Sequence, residues 1–223
     1  MLRLDQIDVD IEGVHVLRGV SFALADGRTT ALIGRNGAGK TTTLRTIMGF
    51  IPATRGAVFL SETRLDRLKP HQRPGLGIGY APEDRRLFAG FSVEDNLLLP
   101  LQVAGRTATD GRRRLAEIYE VLPELAELRH RPAGSVSGGQ GKMVALGRAL
   151  MIGARLVLLD EPFQGLAPVL AHRYVDALRR LTSLDPAPTL LITESNPTLL
   201  ATLATTMLTI ERGEIADQRR AAS

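Results

Sequence analysis

The chain has 223 residues, of which 44% are hydrophobic and 23% are charged, and its formal net charge is +4. This length and composition suit one large folded domain and exclude an intrinsically disordered chain. The sequence contains no cysteine, which excludes a disulfide scaffold and cysteine-ligated metal sites.

The positive charge does not indicate a nucleic-acid partner. Most basic residues are scattered arginines, and the run at 112–114 is interpreted as the solvated face of a helix. Aromatic residues make up 4% of the chain, too few for platforms that stack on bases. The apolar stretches at 97–104 and 198–210 are shorter than the roughly 18 to 20 residues that cross a bilayer. The first five residues lack the pattern of a secretion signal.

The first part of the chain is predicted to contain strands and one helix. Apolar and polar residues alternate in short stretches over roughly the first 25 residues, which predicts antiparallel strands. Thr29–Ile33 is a β-rich run that ends in a glycine loop, and a helix follows from about Lys40 to Met48. A further β-rich stretch covers residues 57–60.

The second part alternates helices and buried strands. Residues 92–131 have a helical pattern that Pro132 and Gly134 end, and another helix begins near Ser137. A continuous apolar run at 156–159 is typical of a buried parallel strand, as is the run at 189–193. Between them a helix is outlined by Leu170, Tyr174, Leu178 and Leu181. Alternating strands and helices predict a parallel α/β core, and the helical middle is interpreted as a subdomain inserted at about 92–153 within one domain spanning 1–223.

A phosphate-binding loop is predicted between the strand Thr29–Ile33 and the helix that follows it. The pattern G-x-x-x-x-G-K-[ST] is matched by Gly34, Arg35, Asn36, Gly37, Ala38, Gly39, Lys40 and Thr41. The glycines let successive N–H groups point at phosphate oxygens at the positive end of a helix. Lys40 adds a cation for the β- and γ-phosphates, the Thr41 hydroxyl is placed to ligate Mg²⁺, and Thr42 is placed to bond phosphate. The chain is therefore expected to bind ATP or another nucleoside triphosphate.

Two adjacent carboxylates follow the buried strand at 156–159. Ligands of open parallel sheets bind outside the carboxyl ends of the strands, where the phosphate loop also lies. Asp160 is therefore expected to hold Mg²⁺ through water, and Glu161 to act as the base or positioning group for the attacking water.

A third motif, Val136-Ser137-Gly138-Gly139-Gln140, precedes a helix about 20 residues before Asp160. By itself it is a helix N-terminus with a serine cap. Together with the phosphate loop and the acidic strand end, it resembles the signature of the ATP-binding-cassette family, the ATPase subunits of ABC transporters, in which the first position is usually leucine. The resemblance runs from Leu2 to about Ile215.

The resemblance implies a fold and a mechanism. The implied fold is a P-loop NTPase core with a parallel sheet, an N-terminal antiparallel β subdomain and an inserted helical subdomain. Two cassettes would pack head to tail, so that Ser137, Gly138, Gly139 and Gln140 of one chain contact the ATP bound by the other. ATP binding would close this dimer, hydrolysis would open it, and integral-membrane permease subunits would follow. The isolated chain is then expected to be a poor enzyme.

Within the family the chain resembles the ATP-binding subunits of branched-chain amino acid importers. The likeness is carried by the segments 78–88, 91–97 and 165–168. It implies that Glu83 senses the γ-phosphate and its Mg²⁺. It also implies that this chain is a peripheral subunit at the cytoplasmic face of the inner membrane. A periplasmic or surface substrate-binding protein would then be an indirect partner. The apolar side chains Leu87, Phe88 and Phe91 are expected either to line a groove for a membrane-subunit helix or to pack inside the subdomain.

Three positions depart from common cassette sequences. The adenine-stacking aromatic is replaced by Ile11, and the loop at 163–166 lacks the frequent serine and aspartate. Ser195 stands where a histidine normally bonds the γ-phosphate, and serine has a shorter reach and carries no positive charge. Ser195 is therefore expected to assist catalysis less than histidine, which favours a heterodimer with two unequal ATP sites over a homodimer.

The alternative is a cassette ATPase that is not coupled to transport. DNA-maintenance cassettes insert long coiled coils between the phosphate loop and the signature, whereas about 95 residues without sustained heptads separate Thr41 from Ser137. Translation-associated cassettes normally occur in pairs within one chain, and this chain has one.

Overall fold

The computed structural model describes residues 1–153 and 155–220. The strands in these residues are β1 (Leu2–Ile11), β2 (Val14–Ala23), β3 (Thr29–Ile33), β4 (Arg55–Leu60), β5 (Thr63–Arg64), β6 (Ile78–Ala81), β7 (Leu156–Asp160), β8 (Thr189–Glu194), β9 (Thr206–Glu211) and β10 (Glu214–Arg220). The α-helices in the same residues are α1 (Lys40–Met48), α2 (Val93–Val103), α3 (Ala108–Val121), α4 (Pro123–Leu128), α5 (Gly138–Ile152) and α6 (Pro168–Thr182). In the described ranges no helix is long and apolar enough to span a bilayer.

The strands form two sheets. A four-stranded antiparallel sheet has the order β2-β1-β4-β5, and a six-stranded sheet has the order β10-β9-β3-β8-β7-β6. In the larger sheet β9, β3, β8, β7 and β6 run parallel, and β10 is antiparallel at one edge. The predicted P-loop core, antiparallel β part and helical part are therefore all present.

Two apolar cores lie on opposite faces of the larger sheet. Successive side chains of β7 point into opposite cores. Val157 and Leu159 pack in the core formed with α2 to α6, whereas Leu156 and Leu158 pack against α1 and the antiparallel sheet. Because side chains alternate along a strand, Asp160 has the same parity as Leu158. Its carboxylate therefore faces α1 at the carboxyl end of the sheet.

The predicted helical stretch at 92–131 contains the helices α2, α3 and α4. A turn containing Gly105 ends α2, and the Thr107 side chain accepts the Asp110 N–H to begin α3. Pro123 then occupies the first turn of α4, where its missing N–H costs nothing. α2 and α3 both pack on α5.

Candidate functional site

The phosphate loop joins β3 to α1 at the carboxyl edge of the larger sheet. Gly39 precedes α1 with φ 111°, a backbone conformation that side chains disfavour. A Cβ at Gly39 would lie 2.7 Å from Leu17 Cδ2, so the close approach of the loop to β2 also requires glycine. No side chain caps this end of α1, and its N–H groups therefore stay available for an anion.

Lys40 is almost fully buried at the base of the loop. Its ammonium donates to the carbonyl oxygens of Gly34 at 2.6 Å and Arg35 at 3.1 Å. Its Nζ lies 2.9 Å from Glu161 Oε1, in an ion pair whose side chains are 4% and 6% exposed. A buried ammonium needs such an anionic partner.

Asp160 is buried and is held by three hydroxyl groups. Thr41 and Thr193 each donate to its Oδ1 at 2.9 Å, and Tyr80 donates to its Oδ2 at 3.1 Å. Burial raises the pKa of the Tyr80 phenol, with a further contribution from the negative charge of Asp160, so this group stays a donor. Sequence reasoning missed Tyr80 and Thr193, which lie on β6 and β8 on either side of β7.

The oxygen atoms at and near Asp160 are of the type that ligates Mg²⁺. The Thr41 hydroxyl and the Asp160 carboxylate are oxygen ligands within hydrogen-bond distance of each other, and Mg²⁺ prefers oxygen and keeps several waters. In the part of the chain that the structure describes, no group of three or more His, Cys, Asp or Glu side chains is arranged as a metal site. The remaining ligands of an ion here would therefore be water and phosphate.

Glu161 and Ser195 meet at the same point. The Ser195 Oγ lies 2.9 Å from Glu161 Oε1, 2.9 Å from Asn36 Oδ1 and 3.2 Å from Lys40 Nζ. One hydroxyl donates a single proton, so it serves Glu161 or Asn36 at any moment. The structure thus brings Ser195 to the phosphate loop and to the Glu161 carboxylate.

Glu194 is a buried carboxyl that sequence reasoning missed. Its Oε1 accepts the Phe163 N–H at 2.8 Å, which ties the end of β8 to the loop after Glu161. Burial raises the pKa of Glu194 to about 7, with Glu161 adding to the rise and Lys142 opposing it. A glutamate at the end of an apolar strand gave no signal in the sequence.

An open cleft of about 590 Å³ lies over the phosphate loop. It is lined by Ile11, Glu12, Val14, Val16, Asn36, Gly37, Gly39, Lys40, Thr41, Thr42, Glu83, Glu161 and Gln164. Ile11, Val14 and Val16 give it an apolar wall from the β1–β2 hairpin. Among these lining residues Lys40 is the only cation, and Glu83 lies on the same cleft as Glu161.

Three loop residues do not line the cleft. The carbonyls of Gly34 and Arg35 bond Lys40 instead, and the buried Ala38 accepts the Gly213 N–H at 3.0 Å. Their backbone carbonyl groups therefore support the shape of the loop.

The signature residues lie outside this cleft. Ser137 caps α5 through a reciprocal pair with Gln140: its Oγ accepts the Gln140 N–H at 3.3 Å, and Gln140 Oε1 accepts the Ser137 N–H at 2.9 Å. Ser137 and Gly138 are exposed, whereas a Cβ at Gly139 would lie 2.4 Å from Leu170 Cδ1. The structure therefore does not bring the signature and the phosphate loop together within one chain.

The apolar residues after Glu83 differ in how far they are buried. Phe88 and Phe91 are 52% and 45% exposed, and their rings stack at 5.5 Å. Leu87 packs against the helical core. Ordinary packing therefore accounts for Leu87 and not for the two phenylalanines.

Comparisons with known proteins agree with this geometry. A family model described as ABC transporter matches residues 17–164. The chain is 33% identical over 196 residues to the probable branched-chain amino acid transport ATP-binding protein LivF of Archaeoglobus fulgidus, covering 88% of this chain and 82% of that protein. It is also 33% identical over 211 residues to the lipopolysaccharide export system ATP-binding protein LptB of Escherichia coli K12, covering 93% of this chain and 83% of that protein.

A solved structure shows the same fold. The ADP conformation of MJ1267, an ATP-binding cassette of an ABC transporter, superposes with a TM-score of 0.86 at 29% identity. The match covers 99% of this chain and 91% of that one. The predicted resemblance and fold class are confirmed.

Proposed function

Because this chain belongs to the ABC transporter family and is an ATPase cassette, we propose that it energises an importer of branched-chain or related amino acids or amides. The observation that supports ATP hydrolysis here is the convergence of Lys40, Thr41, Asp160 and Glu161 at one edge of the sheet. The chain would act as a peripheral subunit at the cytoplasmic face of the inner membrane, bound to integral-membrane permease subunits.

Each group at the edge has a proposed role. The free N–H groups at the start of α1 and the Lys40 ammonium hold the phosphates, with Thr42 adding a hydroxyl. Thr41 and Asp160 hold Mg²⁺, which when bound neutralises charge on the β- and γ-phosphates. The triphosphate replaces Glu161 as the anionic partner of Lys40, which frees the Glu161 carboxylate to orient water and accept its proton.

Two further polar groups lie near the place of the γ-phosphate. Ser195 is held between Asn36 and Glu161, and Glu83 lines the cleft. We assign to Ser195 a hydrogen bond to the γ-phosphate and to Glu83 the sensing of that group and its Mg²⁺. Ile11 covers one face of adenine without aromatic stacking.

The separation of the signature from the cleft supports a two-chain site. Ser137 and Gly138 are exposed at a helix N-terminus, where an anion is favoured. A second ATP-binding subunit would bring its bound ATP to this terminus and offer its own signature to the phosphate loop of this chain. We favour a heterodimer, because Ser195 makes this site the slower one; a homodimer would have two such sites.

Site-directed changes in both cassettes distinguish these arrangements. Glu161→Gln in this chain is expected to reduce transport less than the matching change in the second cassette. Equal losses would contradict unequal sites.

The proposed cargo depends on the names of relatives alone. LivF is named for branched-chain amino acid transport and LptB for lipopolysaccharide export, and this chain is equally identical to both. Import is favoured because the segments at 78–88, 91–97 and 165–168 resemble those of branched-chain amino acid importers. Stimulation of ATPase by a loaded amino-acid-binding protein in proteoliposomes would support it, whereas stimulation by lipopolysaccharide would overturn it.

Co-purification tests the transporter assignment itself. The chain is expressed with its neighbouring genes, extracted from membranes, and its partners are identified by mass spectrometry before ATPase assay. Two permease subunits with a distinct second cassette, active only when assembled, are the expected result. A fully active dimer of this chain with no membrane partner would favour a cassette that is not coupled to transport.

A further inference from the structure

A lysine links the signature helix to the catalytic edge of the sheet. Lys142 lies in the second turn of α5, half-buried, and its Nζ donates to the backbone carbonyl oxygen of Glu161 at 2.6 Å. The first turn of the same helix carries Ser137 and Gly138. One side chain therefore connects the helix that faces the second cassette to the residue expected to activate water.

The backbone of Glu161 needs such support. Its φ is 47°, in the left-handed region that costs a residue other than glycine about 1 kcal/mol or more. Its N–H lies 3.1 Å from both the carbonyl oxygen and the Oγ1 of Thr193, which fixes one side of the residue. Lys142 fixes the other side through the carbonyl. The carboxylate then reaches Lys40 and Ser195.

The charges around Lys142 match this place. Burial lowers the pKa of its ammonium, and the negative charges of Glu194, Glu83 and Glu161 oppose that shift. The negative charges of these three carboxylates thus favour a cation at this position of α5. Lys142 does not line the ATP cleft, so it is placed to act on Glu161 and not on the nucleotide.

We propose that Lys142 is a positioning residue, which holds the Glu161 carbonyl and thereby aims its carboxylate, and which transmits movement of the signature helix to that carboxylate. The proposal depends on the proposed role of Glu161 in ATP hydrolysis. When α5 shifts relative to β7, the amine is withdrawn from the carbonyl and Glu161 loses its support on that side. Closure of two cassettes onto Ser137 would in this way be coupled to hydrolysis within the same chain.

The test compares three variants in the assembled transporter. Lys142→Met removes the donor and keeps most of the length of the side chain, and Lys142→Gln keeps a shorter, neutral donor. Arg114→Met is the matched control. Arg114 lies on α3 and, as Lys142 does, joins α5 to another element by donating to a backbone carbonyl, that of Leu150, at 2.7 and 3.2 Å. It lies far from Glu161 in the chain and outside the cleft.

The expected order of kcat is wild type, then Lys142→Gln, then Lys142→Met, with a loss in the last of roughly 10- to 100-fold. In both Lys142 variants, the KM for ATP and the affinity for a fluorescent ATP analogue stay within about twofold of wild type, because the contacts that bind ATP are unchanged. Arg114→Met keeps the wild-type kcat. Thermal unfolding of each variant is measured alongside, and if Lys142→Met does not fold, Lys142→Gln is compared directly with wild type.

A wild-type kcat in either Lys142 variant would overturn the proposal. So would a loss of kcat matched by a rise in KM, or by an equal loss in Arg114→Met, because either pattern indicates general damage to α5. An assembly whose wild type does not hydrolyse ATP would contradict the proposed function instead, and this inference would fall with it.

Discussion

Two helix N-termini of this molecule, those of α1 and α5, follow glycine-rich segments and yet are built differently. The terminus of α1 has no side-chain cap, and it opens onto the cleft beside a buried lysine. At the terminus of α5, the side chains of Ser137 and Gln140 accept each other's backbone N–H groups, and this terminus lies on the surface outside that cleft. The N-terminus of α1 is therefore part of a binding surface formed within the chain, whereas that of α5 offers a surface that needs a second chain.

The largest expected effect is at α1. Lys40→Met should weaken binding of a fluorescent ATP analogue to the purified chain on the order of 100-fold, because hydrogen bonds to charged groups contribute about 1.5 to 3 kcal/mol. The matched control is Lys69→Met, which changes an exposed lysine outside the cleft. Equal binding by the Lys40→Met and Lys69→Met variants would show that the α1 terminus is not the phosphate site.

The next largest effect concerns Glu194, the buried carboxyl at the end of β8. The folded-state pKa of Glu194 is about 7, raised mainly by burial from an ordinary value of 4.5. Its contribution to stability is therefore fully present below pH 4.5 and is lost as the pH rises through 7. Glu194→Gln keeps an acceptor for the Phe163 N–H. Because an amide does not titrate, the stability of this variant does not decrease in the same pH range.

We expect Glu194→Gln to exceed wild type in free energy of unfolding by about 2 kcal/mol above pH 7, with the difference shrinking toward pH 4.5. Urea unfolding at several pH values measures it, with Glu62→Gln, in an exposed turn, as the control. A constant difference at every pH would contradict the raised pKa of Glu194.

The α5 terminus is probed by a pair of serines. Ser137→Ala should reduce ATPase of the assembly about tenfold, the value of one hydrogen bond to a charged oxygen, while leaving ATP binding by the isolated chain unchanged. Ser92 caps α2 by the same reciprocal arrangement with Asp95, so Ser92→Ala is a matched control.

Both serine variants should lose about 1 kcal/mol of stability from the missing cap. Only Ser137→Ala should also lose ATPase activity. The same ATPase loss in Ser92→Ala would mean that capping, and not contact with the second chain's ATP, explains the effect.

The smallest expected effect is at Ser195. Ser195→His should raise turnover at this chain's site by about threefold to tenfold, because an imidazole reaches further and can carry positive charge toward the γ-phosphate. Ser195→Asn changes size without adding such a charge and serves as the control. Turnover is measured in an assembly whose second cassette carries the inactivating change at its own catalytic glutamate. A drop in Ser195→His would show that serine is the better group in this setting.

Much of the fold followed from local patterns. The helix from Lys40 to Met48 and the strands β7 and β8 could be predicted because a motif or an unbroken apolar run marks them. The helical middle was predicted only as one stretch, since periodicity continues across the short turn at Gly105. β6 was not predicted as a strand, because four residues that include a glycine carry little periodicity.

The candidate site was predictable where a motif names residues, and not where contacts join distant positions. Tyr80 reaches Asp160 from the neighbouring strand, and Lys142 reaches the Glu161 carbonyl from α5. Arg73 likewise closes the far end of α1 by donating to the carbonyls of Thr46 and Ile47 at 2.8 and 2.6 Å. Such partners are set by packing of the sheet and helices, which one sequence does not display.

One chain is proposed to supply half of a working ATP site. ATP turnover per chain tests this division, measured on the purified chain over a wide range of concentration and compared with the membrane assembly. We expect the isolated chain to bind ATP at every concentration, to hydrolyse it slowly when dilute, and to reach high turnover only when assembled. High turnover that is independent of concentration and unchanged by Ser137→Ala would contradict it.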